Sequence, residues 1–339
     1  MAGAGSDPGA EAANDTANDT ANDTEVDTGL DAGAGVDRPA RAHRLVVALG
    51  GHAIVPPGAA GTAEQQTATI GRAMAEVATL IAEGSDVVVC HGNGPQVGNL
   101  LTKNIIARDV VPAMPLHWCV AQTQATIGLA MLTALEAELA AAGIDRPIVP
   151  VLSRVLVRAD DPAWQTPTKP IGVGDGRRLV PSPQPVRSLE MSTVRLLLDA
   201  GAVVVANGGG GVPMVDDGDG HLTGVDAVVD KDLAAALLAI ELEVDHLVIL
   251  TDVNGVAIDY AGPAERWLDR VEPAELRDLA SRGTFGVGSM APKVEAALRF
   301  VEATGNPATI GPLDRAADAL HGRCGTRVVA QGDSGGSHR

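Results

Sequence analysis

At 339 residues the chain has room for one large or two ordinary domains with a sizeable core. Its 43 acidic against 25 basic side chains give a formal net charge of −18, which argues against a nucleic-acid partner, since phosphate backbones call for a basic surface. Aromatic residues are only 2%, so the core must be built from Ala, Val, Leu and Ile, a mix suited to helices packed closely on a parallel sheet.

Residues 1–42 are rich in Ala, Gly, Asp and Thr, with Ala-Asn-Asp-Thr repeated three times from Ala13 to Thr24. A polar, acidic, low-complexity segment cannot bury enough apolar area to offset its ordering entropy, so this stretch is expected to be a disordered tail. Residues 331–339 read as a second flexible tail, and 43–330 as one domain without an internal linker. The acidic N-terminus lacks the basic-plus-apolar pattern of a signal peptide, and no apolar run reaches transmembrane length. A cytoplasmic protein without a membrane partner is expected. Cys90, Cys119 and Cys324 show no CxxC spacing and suggest neither a zinc site nor a disulfide framework. Cys90 ends an apolar run and reads as a small buried hydrophobe.

Arg44–Leu49 reads as a buried strand running into the glycine pair Gly50-Gly51 and His52. Residues 62–83 carry helical periodicity and stop at Gly84. Asp86–Cys90 is a second strand, ending in His91-Gly92-Asn93-Gly94, after which a helix is expected from Pro95. A long helix covers about Cys119–Ala142 and holds Gln122 and Gln124 within an apolar pattern. Ile148–Val157 reads as one extended run whose internal Pro150 makes a central sheet position doubtful. Residues 158–183 look like a small excursion from the sheet, with strands only at its base. Leu189–Ala200 is a helix, and Val203–Val205 a strand that ends in Asn207 and four consecutive glycines, Gly208 to Gly211.

Asp216–Gly220 is expected to be a hairpin; it lacks the spacing and terminal Glu of a calcium loop. A helix then opens on Asp230-Lys231-Asp232, a lysine between two aspartates. His246–Leu250 is a strand leading to Thr251-Asp252, and Pro273–Arg282 a helix. The next helix, opening after Phe285, carries Met290 and Lys293. Short strands at Pro307–Ile310 and Thr326–Val329 close the pattern. Alternating strands and helices imply an α/β fold with a mainly parallel sheet covered on both faces.

A cation in the first turn of a helix opposes the macrodipole, and both Lys231 and Lys293 stand there. A solvated local pair with Asp232 or Glu295 would account for either lysine alone. Two such lysines beside the turns at Gly50-Gly51, Gly92–Gly94 and Gly208–Gly211 favour a polyphosphate ligand held by backbone and balanced by ammonium groups. A nearby carboxylate could fix the lysines and help to hold Mg²⁺, although no residue is singled out as a metal ligand. No Gly-x-x-x-x-Gly-Lys-Ser/Thr motif is present, nor the protein-kinase motifs.

The chain resembles the carbamate kinases of the amino acid kinase superfamily. The resemblance rests on Val47–Gly51, His91–Gly98, Pro167–Gly172, Val180–Pro183, Gly208–Gly211, Val229–Leu238, Leu250–Val253 and Gly288–Ala297, in this order across 43–330. It implies an open αβα sandwich with a small lid subdomain, here shortened. It also implies a homodimer that transfers a phosphoryl group reversibly between MgATP and carbamate, with ADP and carbamoyl phosphate on the other side. By position, Lys231 and Lys293 would lie along the phosphates, Asp232 would organise the lysines, and Lys169 would reach over the transferred group. Gly50, Gly51, His52, Asn93, Gly209 and Gly210 would hold phosphate or the small acceptor. Thr251, Asp252 and Met290 would lie on the nucleotide side. His52 stands where the family carries Asn, and Thr123-Gln124-Ala125 where it carries Ser-Gln-Gly. These changes leave open a kinase for a different small acid, or a nucleotide-binding sensor without turnover.

Overall fold

The computed structural model describes residues 42–51, 54–55, 61–172, 177–285 and 290–330. Both expected tails, apart from Ala42, fall outside the described residues, as does His52. The chain begins with β1 (Arg44–Leu49), α1 (Ala63–Ala82), β2 (Asp86–His91), α2 (Gly94–Ala107) and α3 (Leu116–Ala141). Then follow β3 (Ile148–Pro150), β4 (Arg154–Val157), β5 (Lys169–Ile171), β6 (Arg178–Val180) and β7 (Pro185–Ser188). The middle holds α4 (Met191–Asp199), β8 (Val203–Val205), β9 (Val212–Asp216), β10 (Leu222–Gly224), α5 (Lys231–Leu242) and β11 (His246–Thr251). The last part comprises β12 (Val256–Ile258), β13 (Arg266–Leu268), β14 (Arg270–Val271), α6 (Pro273–Ser281) and α7 (Met290–Thr304). It ends with β15 (Ala308–Pro312), α8 (Ala316–Leu320) and β16 (Thr326–Val328).

Eight strands form the main sheet in the order β14-β16-β15-β11-β1-β2-β8-β3. All its pairings are parallel except β15 with β16. Period-two alternation assigns the two faces. Leu45, Val47 and Leu49 face a core with α1, α3 and α8, whereas Val46 and Ala48 face the core with α4, α5, α6 and α7. Because both faces are covered, β1, β2 and β11 read as unbroken apolar runs rather than as alternating ones. α5 lies close to the sheet through small side chains: Ala235, Ala236 and Ala239 are fully buried in this core. Cys90 lies in the same core, and burial pushes its thiol up to about 12, in keeping with a structural role. No helix among the described residues is long and apolar enough to cross a membrane.

The structure corrects the expectation of one extended run over Ile148–Val157. The run breaks at 151–153: β3 pairs with β8 at the edge of the main sheet, and β4 moves to a second sheet, β10-β9-β4-β7. Pro150 has no N–H to offer a further strand, which suits its edge position. The excursion also differs from expectation. Its β5 and β6 form an antiparallel hairpin of their own, with Lys169 opposite Val180. A small core joins this hairpin to the rest: Ile171 and Val180 pack with Val97, Val120, Val212 and Val228. Strands β7 and β12–β14 and helix α8 were not anticipated, since two to five residues give too few periods to read.

Four adjacent parallel strands, β11, β1, β2 and β8, all end on the same edge of the sheet. Their carboxyl ends carry Thr251-Asp252, Gly50-Gly51, Gly92-Asn93 and the Asn207–Gly211 turn. Topology therefore gathers the three glycine turns and Thr251-Asp252 where ligands collect in open α/β sheets.

Candidate active site

Asp230 starts α5 in extended backbone, and its Oδ1 accepts from the amides of Asp232 (2.9 Å) and Leu233 (3.4 Å). This N-cap satisfies donors that the first helical turn would otherwise leave orphaned. Lys231 follows, with its stem lying over Gly92; a Cβ at Gly92 would come within 3.1 Å of Lys231 Cδ. The Lys231 ammonium donates to Asp232 Oδ1 at 2.5 Å, and the Lys293 ammonium to Asp232 Oδ2 at 3.0 Å. Lys231, Asp232 and Lys293 are 9%, 3% and 4% exposed. Glu295 is not the partner of Lys293. It binds Arg299 (2.7 Å) and Arg277 (3.5 Å), because a residue two positions along a helix faces away. Lys169 reaches in from β5, and its ammonium donates to Asp230 Oδ2.

Three ammonium groups thus meet two carboxylates in a largely buried pocket of an otherwise acidic chain. Burial pulls the Lys231 ammonium down to about 8, against the attraction of Asp232. Burial opposes the charge on Asp232 as well, but Lys231 and Lys293 together hold its carboxyl well below the usual range. For Lys293 the Asp232 carboxylate outweighs burial and raises the ammonium. His91, also buried, is pushed down to about 4 and donates from Nδ1 to the Gly92 carbonyl, so it adds no charge near neutral pH.

The glycine turn is defined by backbone sign and close approach. Asn207, Gly209, Gly210 and Gly211 all have positive φ, at 49°, 64°, 88° and 84°. A Cβ at Gly209 would sit 2.2 Å from Asn93 Nδ2, and one at Gly210 2.3 Å from the Val229 carbonyl. The turn therefore packs against both Asn93 and the lead-in to α5. Gly210 N donates to the Asn207 carbonyl (3.0 Å) and Gly50 N to the Leu250 carbonyl (2.9 Å), so both amides are engaged. Beside Gly51 no described atom comes within 4 Å of where a Cβ would stand, leaving room next to Gly92 and Lys231.

Several supports escaped the sequence reading. Buried Gln124 on α3 donates from Nε2 to the carbonyls of Ser153 and Gly208, both at 2.9 Å, and its Oε1 accepts from Ser153 N at 2.8 Å. Asn207 donates from Nδ2 to Ser188 Oγ at 2.8 Å. Asn93 donates from Nδ2 to Thr123 Oγ1 at 2.8 Å. The signal available for Gln124 was a glutamine in an otherwise apolar helix; Ser153 and Ser188 offered none.

Lys169, Lys231, Asp232 and Lys293 are joined through Asp230 and Asp232, with Gly51, Asn93, Gly209 and Gly210 around them. Gly50 borders Thr251 at the end of β11, where Thr251 Oγ1 donates to Asp252 Oδ1 at 3.1 Å. Met290 opens α7, three residues before Lys293, and is half-buried against the sheet core. Among the described residues no group of three His, Cys, Asp or Glu side chains could hold a metal ion. With Asp232 engaged by two lysines and Asp230 by a lysine and a helix cap, the site suits an ion that arrives on phosphate oxygens rather than one caged by protein.

A family model described as the amino acid kinase family matches residues 43–311. A carbamate kinase from Thermococcus kodakarensis is 42% identical over 314 residues, covering 85% of this chain and 99% of that protein. The chain belongs to the amino acid kinase family, in its carbamate kinase branch. A carbamate kinase from Pyrococcus horikoshii is 40% identical, over 84% of this chain and 99% of its own. Among solved structures, carbamate kinase from Giardia lamblia bound to AMP-PNP superposes with a TM-score of 0.82 at 37% identity, covering 85% of this chain and 99% of that one. The chain is thus a kinase of small molecules, and the open αβα architecture expected from its sequence is that of its relatives. Lys169, on β5, is brought onto Asp230.

Proposed function

We propose that the chain transfers a phosphoryl group reversibly between MgATP and carbamate, giving ADP and carbamoyl phosphate. The observation that carries this reading is the gathering of three ammonium groups, Lys169, Lys231 and Lys293, on two carboxylates beside the glycine turn, a charge pattern that a polyphosphate would complete. In the forward direction a carbamate oxygen forms the new bond to the γ-phosphorus, and the bond from that phosphorus to the bridging oxygen of ADP breaks. Carbamate is already an anion, so the step needs no general base, in keeping with an Asp232 held by two lysines. Lys231 and Lys293 lie along the phosphates and balance charge as it spreads toward the leaving oxygen. Lys169 reaches over the transferred group. Gly50, Gly51, Asn93, Gly209 and Gly210 shape the bed for phosphate and acceptor, and Thr251, Asp252 and Met290 the nucleotide side. Mg²⁺ would neutralise phosphate charge and would be brought in on the nucleotide's own oxygens.

An assay of ADP formation with carbamate and a panel of small acids, run beside ATP formation from carbamoyl phosphate, checks the acceptor. Turnover in both directions with the carbamate pair is expected. Turnover of another acid, with none from carbamoyl phosphate, would overturn that choice of acceptor, while nucleotide binding without turnover would mark a sensor.

The same reading takes the molecule as a homodimer. Its support is exposed apolar surface: Trp118 and Leu129 on α3 and Leu152 beyond β3 are 57%, 63% and 60% exposed. Sedimentation should give twice the chain mass, and Leu129→Glu should shift it toward the single-chain mass; a wild-type monomer would contradict the dimer.

A further inference from the structure

We propose that Asp230, which the phosphoryl-transfer roles above do not use, is the positioning residue for Lys169 and couples the lid hairpin to the first turn of α5. Asp230 is 7% exposed, and its two carboxylate oxygens do different work. Oδ1 caps α5 through the amides of Asp232 and Leu233, which fixes the turn that carries Lys231 and Asp232. Oδ2 accepts from the Lys169 ammonium. One carboxylate therefore sets three of the other four charged groups of the site relative to one another.

The hairpin brings Lys169 to this oxygen by close backbone packing. Gly172 N donates to the Gly94 carbonyl at 2.9 Å, and a Cβ at Gly98 would stand 2.0 Å from Gly172 N, so α2 and the hairpin touch backbone to backbone. Ile171 and Val180 anchor the hairpin in the small core with Val97 and Val228. With the strand held, the remaining freedom of Lys169 lies in its side chain, four methylenes with many rotamers when unrestrained. Asp230 removes that freedom before substrate arrives. A lysine ammonium has three donors, so it can keep Asp230 and still offer two to the oxygens of a transferred phosphoryl group. Pre-organisation of this kind raises the rate because the cost of ordering is met in the free enzyme.

This inference rests on the phosphoryl-transfer reading for its kinetic arm alone. The test uses the full chain with Asp230→Asn, Lys169→Met and the double variant. Asparagine caps a helix about as well as aspartate, so Asp230→Asn keeps α5 while removing the charged partner of Lys169. Three quantities are measured: Tm, kcat at saturating substrates, and the rate of Lys169 reductive methylation followed by peptide mass spectrometry. Asp230→Asn is expected to lower Tm by less than Asp232→Asn does, because the cap of α5 is kept and Lys169 is partly exposed, whereas both ammonium partners of Asp232 are buried. It should lower kcat about tenfold, the worth of one charge-assisted contact, and make Lys169 label several-fold faster. The double variant should be no slower than Lys169→Met, because Asp230 acts through that lysine. Full multiplication of the two losses, or unchanged Lys169 labelling in Asp230→Asn, would overturn the proposal. Should the wild type turn over no acceptor at all, the kinase reading fails while the labelling arm still decides the pairing.

Discussion

Replacing Lys231 by alanine is expected to lower kcat by about three orders of magnitude, with the KM for ATP rising less than about tenfold. The asymmetry follows from where its charge matters. On the proposed reading three ammonium groups share the phosphates in the ground state, so the loss of one should weaken binding only in part. In the transition state charge moves onto the bridging oxygen, and a buried ammonium acts there with little water to screen it. A pure loss of ATP affinity, with kcat preserved, would refute this role. The wild type should also show a pH limb that the variant lacks. Because burial pulls the Lys231 ammonium down to about 8, the free protein carries the charge below that pH and sheds it above. The kcat/KM for ATP reports the free protein and should therefore fall as pH rises through about 8. Bound phosphates favour the charged form, so the corresponding limb in kcat should lie at higher pH.

Asp232→Asn should remove most activity and also destabilise the protein, by about 3 kcal/mol or more, because it leaves two buried ammonium groups without their shared counter-charge. A fall in Tm on the order of 10 °C is expected by thermal unfolding. The sign of the acid dependence follows from the same pair. The folded protein holds the Asp232 carboxyl below its ordinary value of 3.8. Its contribution to stability is therefore complete above that pH and is lost as the pH falls further. In Asp232→Asn this part of the acid destabilisation should disappear. A polyanion can stand in for the missing carboxylate charge, so ATP should raise the Tm of the variant by more than it raises that of the wild type. An equal or smaller rise would mean that the nucleotide does not approach these lysines.

How much of this was legible beforehand can be judged from particular residues. The parallel sheet was readable because β1, β2 and β11 are unbroken apolar runs, a pattern that only strands buried on both faces can tolerate. Lys231 and Lys293 were readable because each opposes the dipole at the start of a helix. The glycine turn was readable because four glycines in succession have little structural use other than left-handed backbone and close approach.

Other features depend on contacts between segments far apart in the chain. The sharing of Asp232 by two lysines joins residues 61 positions apart. Local spacing pointed Lys293 toward Glu295, and the turn of α7 carried that carboxylate away to Arg299 and Arg277. The second function of Asp230, the brace of Gln124 on Ser153 and Gly208, and the split of Ile148–Val157 between two sheets are of the same kind. The sequence alone determined which residue types could bind phosphate and which segments would form the strands of a mainly parallel sheet, because composition and periodicity act locally. Tertiary structure alone decided which ammonium meets which carboxylate. That choice depends on distances of a few ångströms between elements whose order in the chain does not reveal how they pack.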